Sequence, residues 1–202
     1  LRTVALLLLA VLAAALPVAA APVKARSLSG IGVLLLRSDT AGKQSRLALY
    51  REPGIGRFAE LDAARLPPVF PVIRAGEGIK AVIVTAKKLD WYRIVYDGGE
   101  REGWLQGQPS FRYQRWGELL PGSAVSFTGG LRKEYYLLRS EPVPAAEPLE
   151  TISREHVLPV QGVAGDWLRV NRGAGSGGWL RWRDDNGRLL ITVDCRGKDD
   201  AN

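Results

Sequence analysis

The chain has almost no metal-binding or nucleophilic chemistry: among 202 residues there is one cysteine, Cys195, and one histidine, His156. A single cysteine excludes an intramolecular disulfide. In an exported chain it leaves intermolecular pairing or a thiol, and its place after Thr192-Val193 reads more simply as a small residue near the end of a strand. The usual zinc sites need several Cys or His ligands and are excluded. A Cys/His hydrolase would have to use Cys195 and His156, and neither has a catalytic sequence context. No glycine-rich phosphate loop is present, because Gly173 to Gly178 joins two strands rather than opening a helix. The acidic pair Asp184-Asp185 precedes Asn186-Gly187 and reads as turn chemistry. The expectation is therefore no enzyme, no catalytic residue, no metal and no cofactor. Concentrated charge is also lacking. The formal charge is +7, yet the longest basic pairs are Lys87-Lys88 and Arg132-Lys133. Nucleic-acid binders usually gather their charge into one patch or helix. No nucleic-acid partner is expected, only a mild preference for anionic ones.

Hydrophobic residues make up 46% of the chain and charged residues 24%, ordinary for a folded protein of one or two small domains. Small domains need large side chains to fill their cores, and six Trp, six Tyr and four Phe are available. Residues 1–20 carry one basic residue, Arg2, then an apolar run from Val4 to Leu16, then Pro17 and Ala19-Ala20-Ala21. This is the layout of a secretory signal peptide, with Val18 and Ala20 at the small-residue positions if cleavage follows Ala20. An uncleaved anchor is the alternative, since Val4 to Val23 is long enough to span a bilayer. Pro17 and the alanine-rich end favour cleavage. The expected location is periplasmic or extracellular, with no membrane span once the segment is removed.

The mature chain writes one unit twice. Asp90-Trp91-Tyr92-Arg93-Ile94, followed by Gly103-Trp104-Leu105, recurs as Asp166-Trp167-Leu168-Arg169-Val170, followed by Gly178-Trp179-Leu180. Trp91 and Trp167 lie 76 positions apart, Trp104 and Trp179 lie 75 apart, and Pro53 and Pro142 lie 89 apart. The first copy therefore carries about a dozen extra residues between Pro53 and Ile79, an elaboration of a surface loop. The parsing is a signal peptide at 1–20, a linker at 21–30, a first domain at 31–117, a second at 122–195 and a tail at 196–202. Val33 to Leu36 and Arg46 to Tyr50 flank a glycine-containing turn and read as a β-hairpin. A corresponding hairpin is expected over 122–138, with strands at Ala124 to Phe127 and Lys133 to Leu138. Phe58 to Leu66 reads as a short helix stopped by Pro67, followed by a proline-rich extended run. Strands are expected at Ile79 to Thr85, Trp91 to Tyr96, Trp167 to Arg172, Trp179 to Arg183 and Leu189 to Val193. Val157 to Val160 is placed at a sheet edge because of Pro159.

Alternation along a strand places Tyr92 and Ile94 on one side and Trp91 and Arg93 on the other. The second copy divides Leu168 and Val170 from Trp167 and Arg169. The side that is apolar in both copies is the expected core, and the Trp–Arg side faces outward or lines a groove. A rigid ring beside a cation is a good binding platform. The plainer reading has each Trp flat over the end of the fold with the Arg stem packed on it. Trp104 and Trp179 are expected in the core.

Three matching stretches carry a family resemblance. They are Leu49-Tyr50-Arg51-Glu52-Pro53, Asp90-Trp91-Tyr92-Arg93 and Arg101-Glu102-Gly103-Trp104-Leu105. In the second copy they are Leu138-Arg139-Ser140-Glu141-Pro142, Asp166-Trp167-Leu168-Arg169 and Gly178-Trp179-Leu180. Each copy resembles a bacterial Src-homology-3 (SH3) domain, over roughly residues 45–110 and 132–194. The resemblance implies an all-β chain of two small SH3-like barrels in tandem, each with a preceding hairpin, and a short helix in the long loop of the first. It also implies a recognition role toward cell-wall peptides or an envelope protein. The Trp of eukaryotic relatives that matches Trp91 lines a groove for proline-rich helices, and Gln108-Pro109-Ser110-Phe111 echoes the residues completing it. The implied ligand-binding residues are Tyr50, Trp91, Arg93, Trp167 and Arg169. A structural or assembly protein, whose barrels pack on each other or on a partner, is the alternative. Arg65-Leu66-Pro67-Pro68 resembles a ligand of such grooves and is a candidate for binding in cis, although an extended surface loop is the favoured reading.

Overall fold

The computed structural model describes residues 27–37, 46–63, 66, 73–97, 100–173 and 177–195. The expected signal segment, the tail and most of the linker lie outside the described residues, as do Arg65, Pro67 and Pro68. The first half holds strands β1 (Gly32–Arg37), β2 (Arg46–Glu52), β3 (Ile55–Asp62), β4 (Ile73–Arg74), β5 (Ile79–Lys88), β6 (Trp91–Val95), β7 (Glu102–Gln106) and β8 (Phe111–Arg115), then helix α1 (Trp116–Leu119). The second half holds β9 (Ala124–Phe127), β10 (Leu137–Arg139), β11 (Pro148–Thr151), β12 (Leu158–Ala164), β13 (Trp167–Asn171), β14 (Gly177–Arg181) and β15 (Ile191–Asp194). The chain is mostly β. No helix among the described residues is long and apolar enough to cross a membrane.

Two sheets contain these strands, and the order in space repeats. The first runs β3-β2-β7-β6-β5-β1-β8 and the second β11-β10-β14-β13-β12-β9-β15, with β4 added at its end. Even the irregularities recur. The β5–β6 ladder shifts register between Val84 and Ala86, and the β12–β13 ladder shifts between Val160 and Gly162. The β2–β3 and β10–β11 ladders shift at Leu49/Tyr50 and at Leu138/Arg139. Such bulges bend a strand and increase its twist, so both sheets curve at matching places.

Several expected elements are corrected. β1 does not pair with β2; it lies between β5 and β8, and β2 lies between β3 and β7. β9 likewise pairs with β12 and β15, not with β10. Neither expected leading hairpin is formed by the described strands, because the apolar runs marked burial without specifying a partner. Of the expected helix at 58–66, residues 58–62 lie instead in β3, whose backbone is held by β2 from Glu52↔Ile55 to Arg46↔Asp62. Lys133–Tyr136 forms a 3-10 turn, leaving only Leu137–Arg139 as strand. Pro159 sits in a central strand rather than at an edge. It pairs with Ala124 of β9, and the β13 ladder begins only at Val160, so no second ladder requires a proline N–H.

The core explains the unbroken apolarity of Val33-Leu34-Leu35-Leu36. Leu34 and Leu36, with Val82 and Val84 of β5, join Leu47, Leu49, Ile94 and Leu105 in a first core. Val33 and Leu35, with Ala81 and Ile83, face the other way and join Leu158, Val160, Leu168, Val170, Leu180 and Val193. β1 and β5 are thus covered on both faces, as a continuous apolar run requires. The second core is shared between the two halves. Trp116 of α1 packs against Trp182 with ring centroids 5.1 Å apart and planes tilted at 46°. Trp116 Nε1 donates to Ser29 O at 2.8 Å, and Trp182 Nε1 donates to Gly165 O at 2.9 Å. Burying side chains of this size contributes about 2 to 3 kcal/mol each, so this joint is a major part of the fold's stability. Residues of the first half also cross over. β4 runs parallel to β15, Ser29 N donates to Gly187 O, and Leu189 N donates to Ser27 O. Glu100 receives Arg188 Nη1 at 2.8 Å and Nη2 at 3.4 Å.

Candidate functional site

The repeated motif builds an outward face on each sheet. Residues directly opposite in an antiparallel pair share a face. Tyr50 and Arg93 both stand opposite Trp104, and Trp91 stands opposite Gln106. These side chains therefore lie on one side of the first sheet, while Leu49, Ile94 and Leu105 fill the core on the other. The Asp of the motif closes the strand pair. Asp90 O accepts from Gly107 N at 2.6 Å, and in the second half Asp166 O accepts from Trp182 N at 3.0 Å. The Gly that precedes Trp104 and Trp179 sits on the core side where the neighbouring strand crosses closely. A Cβ at Gly178 would lie 2.5 Å from Leu138 Cγ, and one at Gly103 would lie 3.1 Å from Phe58 Cζ.

On the first sheet, Tyr50 meets Trp91 edge-on, with centroids 5.2 Å apart and planes at 88°. Gly54, with φ of 76°, turns the chain from β2 to β3 against the rim of the Trp91 ring. The next residue, Ile55, is 71% exposed. Trp91 is left half-buried, with an aromatic wall on one side and an apolar turn on another. Arg93 is anchored beside it. Its Nε donates to Thr85 Oγ1 at 3.2 Å and lies 3.0 Å from Glu102 Oε2, while its guanidinium stands 5.9 Å from the centre of Trp104.

The second sheet uses the same positions with more cations. Arg169 and Arg139 stand opposite Trp179, and Arg181 stands opposite Trp167. The Arg169 guanidinium lies 5.8 Å from the Trp179 ring centre and that of Arg181 lies 5.9 Å from Trp167. Each such contact is worth about 0.5 to 1 kcal/mol where exposed. Arg181 pairs with Asp185, and its hydrogen bond and charge hold the Asp185 carboxyl below the usual range. Arg139 Nη1 donates to Ala146 O at 2.7 Å. Arg169 is exposed and has no acidic partner among the described residues. The first sheet has Gln106 where the second has Arg181. Trp91 is half-buried, while Trp167 is 8% exposed.

Of the residues singled out from the sequence, Tyr50, Trp91 and Arg93 come together on one face, and Trp167 and Arg169 on the equivalent face of the other sheet. Trp104 and Trp179, expected in the core, stand on these same outward faces. Trp104 is buried there beneath Arg93, and Trp179 is half-buried beneath Arg169. Alternation carried the signal: with Leu105 and Leu180 inside, the adjacent Trp must point out. Gln106, Arg139, Arg181 and Ile55 were missed because their place depends on cross-strand register. His156 is exposed in the loop before β12, and Cys195 is buried after β15, where its N–H donates to Arg74 O at 2.9 Å. No protein-family model matches the chain, and neither does any curated protein.

Proposed function

We propose that the chain is a non-catalytic, exported binding module: two Src-homology-3-like barrels in tandem that recognise cell-envelope material through the outward Trp/Arg faces. The ligand is a peptidoglycan peptide or an envelope protein. The observation that carries this reading is the Tyr50–Trp91 pair, a rigid aromatic corner left half-buried beside an anchored Arg93. Nothing in the core requires that corner to stay open, and buried aromatic anchors with a nearby cation are where binding energy concentrates. The equivalent face on the second sheet, with Arg169 exposed over Trp179, supplies a more cationic counterpart suited to acidic groups. Export rests on the apolar run within residues 1–20.

Retention on purified peptidoglycan tests the reading, with Trp91→Ala and Arg169→Gln as variants. Trp167→Ala is a poor probe because that ring is buried and its loss would weaken the fold. Loss of retention by about tenfold in Trp91→Ala is the expected result, as for an anchor residue. Undiminished retention in both variants refutes the proposed faces. A second reading, a structural protein without a small ligand, is favoured by the core shared between the two halves. It requires that light scattering show self-association and that Trp91 become protected from exchange or quenching in the associated form.

A further inference from the structure

A cavity away from the Trp/Arg faces has its own chemistry. About 280 Å³ in volume, it is lined by Leu35, Ile79, Pro109, Phe111, Ser110 and two arginines, Arg37 and Arg112. The lining follows from the β1–β8 register. Leu35 stands opposite Arg112 and Leu36 opposite Phe111, which puts Arg37 and Arg112 on one face, diagonal neighbours across adjacent strands. The backbone is fixed at this point, where Arg37 N donates to Ser110 O at 3.3 Å. Neither guanidinium forms an ion pair or side-chain hydrogen bond among the described residues. Elsewhere Arg46, Arg57, Arg93, Arg101, Arg172, Arg181, Arg183 and Arg188 are each neutralised by a carboxylate.

We propose that this cavity binds a carboxylate that carries a compact apolar group. Two like charges held on one face repel, and an anion between them relieves the repulsion while accepting paired N–H bonds from planar guanidinium forks. The floor of Leu35 and Ile79 has no donors for a hydrated inorganic ion but suits a hydrocarbon side chain. The volume is near the lower limit of small-molecule sites, so it admits one amino-acid-sized group. Two sources supply that chemistry, the C-terminal residue of a peptide and a free organic acid.

The test uses the purified protein labelled with nitrogen-15 and three probes: Ala-Ala-Leu as the free acid, the same tripeptide as its amide, and phenylacetate. The free-acid tripeptide should shift the amides of Ser110, Phe111 and Arg112 saturably at millimolar concentration or below. Arg37→Gln and Arg112→Gln should each weaken it by about tenfold or more, the effect of removing a charge-assisted hydrogen bond. Both arginines are exposed, so the rest of the spectrum should be unchanged. Saturation by phenylacetate as well identifies the acid group with any compact apolar body as sufficient, whereas saturation by the tripeptide alone identifies a peptide terminus. The site is refuted if the amide tripeptide binds as well as the acid, if neither substitution weakens binding, or if no probe moves those amides. Because the Trp91 face is not involved, Trp91→Ala should leave these shifts intact, which separates this site from the proposed envelope-binding faces.

Discussion

Replacing the glycine of the repeated Gly-Trp-Leu motif by alanine should cost more in the second sheet than in the first. A Cβ at Gly178 would lie 2.5 and 2.8 Å from Leu138 Cγ and Cδ2 and 3.1 Å from Arg139 O. Leu138 is 2% exposed within the shared core and has no room to retreat. At Gly103 the nearest atoms are Phe58 Cζ at 3.1 Å and Leu49 Cβ and Cδ1 at 3.3 Å. Phe58 is 39% exposed, so its ring can swing outward. Overpacking a closed site costs about 1 to 3 kcal/mol, while exchange of glycine for alanine returns about 0.4 to 1 kcal/mol through the unfolded chain. Gly178→Ala should therefore destabilise by about 1 to 2 kcal/mol and Gly103→Ala by well under about 1 kcal/mol. Urea unfolding followed by tryptophan fluorescence measures both, with an unchanged slope showing that the transition is the same one. Leu138→Ala alone should cost about 2 to 5 kcal/mol. Combined with Gly178→Ala it should cost clearly less than the sum, because Leu138→Ala removes the clash that Gly178→Ala makes. Equal losses at the two glycines, or strict additivity with Leu138→Ala, would refute the close-approach explanation.

Leu89 adopts φ of 54° and is 83% exposed, while Gly165 occupies the equivalent turn of the second sheet with φ of 55°. Leu89→Gly should stabilise the protein by about 0.5 to 1 kcal/mol, since relief of left-handed strain outweighs the added freedom of the unfolded chain; a lowered melting temperature would count against it. The Glu100–Arg188 pair, whose hydrogen bond raises the Arg188 pKa, joins the two halves. A double-mutant cycle with Glu100→Gln and Arg188→Gln should give a coupling of about 1 kcal/mol that shrinks in salt, and zero coupling at low salt would show that the pair is incidental. Burial raises the Tyr113 pKa against the opposing charge and hydrogen bond of Arg115, so the folded chain keeps its proton when the unfolded chain has lost it. Stability from this group is present below the unfolded pKa of about 10 and lost as pH rises through the folded value. The decline in stability from about pH 9 to pH 11 should be shallower in Tyr113→Phe, and an unaltered slope would remove Tyr113 from the account.

Duplication was legible from the sequence because its markers sit on paired strands. Asp, Trp, Arg, Gly and Trp each have a local duty, closing a turn, covering a face or permitting a close crossing, and the same duties recur in both sheets. The inward side of Ile94 and Val170 was legible for the same reason, since alternation is a property of one strand. Partnership between strands was not. Val33 to Leu36 is apolar on both faces, which states that it is covered twice but not by what. β3 carries little inward pattern of its own, with Ile55 to Phe58 exposed, and is a strand because β2 holds its backbone. Phe58 and Leu61, three apart, therefore mimicked a helix. That Trp91 faces Gln106 while its counterpart Trp167 faces Arg181 is visible only after the strands are registered.

β4 finds its neighbour in β15, and residues 27–29 find theirs at 187–189. During synthesis, those early segments emerge long before the residues that will hold them. Completion of the first half is therefore postponed until the last strand is delivered, and so distant a closure is slow. Trimming the chain by fifteen residues at its far end would take away the partners of β4 and of Ser27, undoing contacts near its beginning.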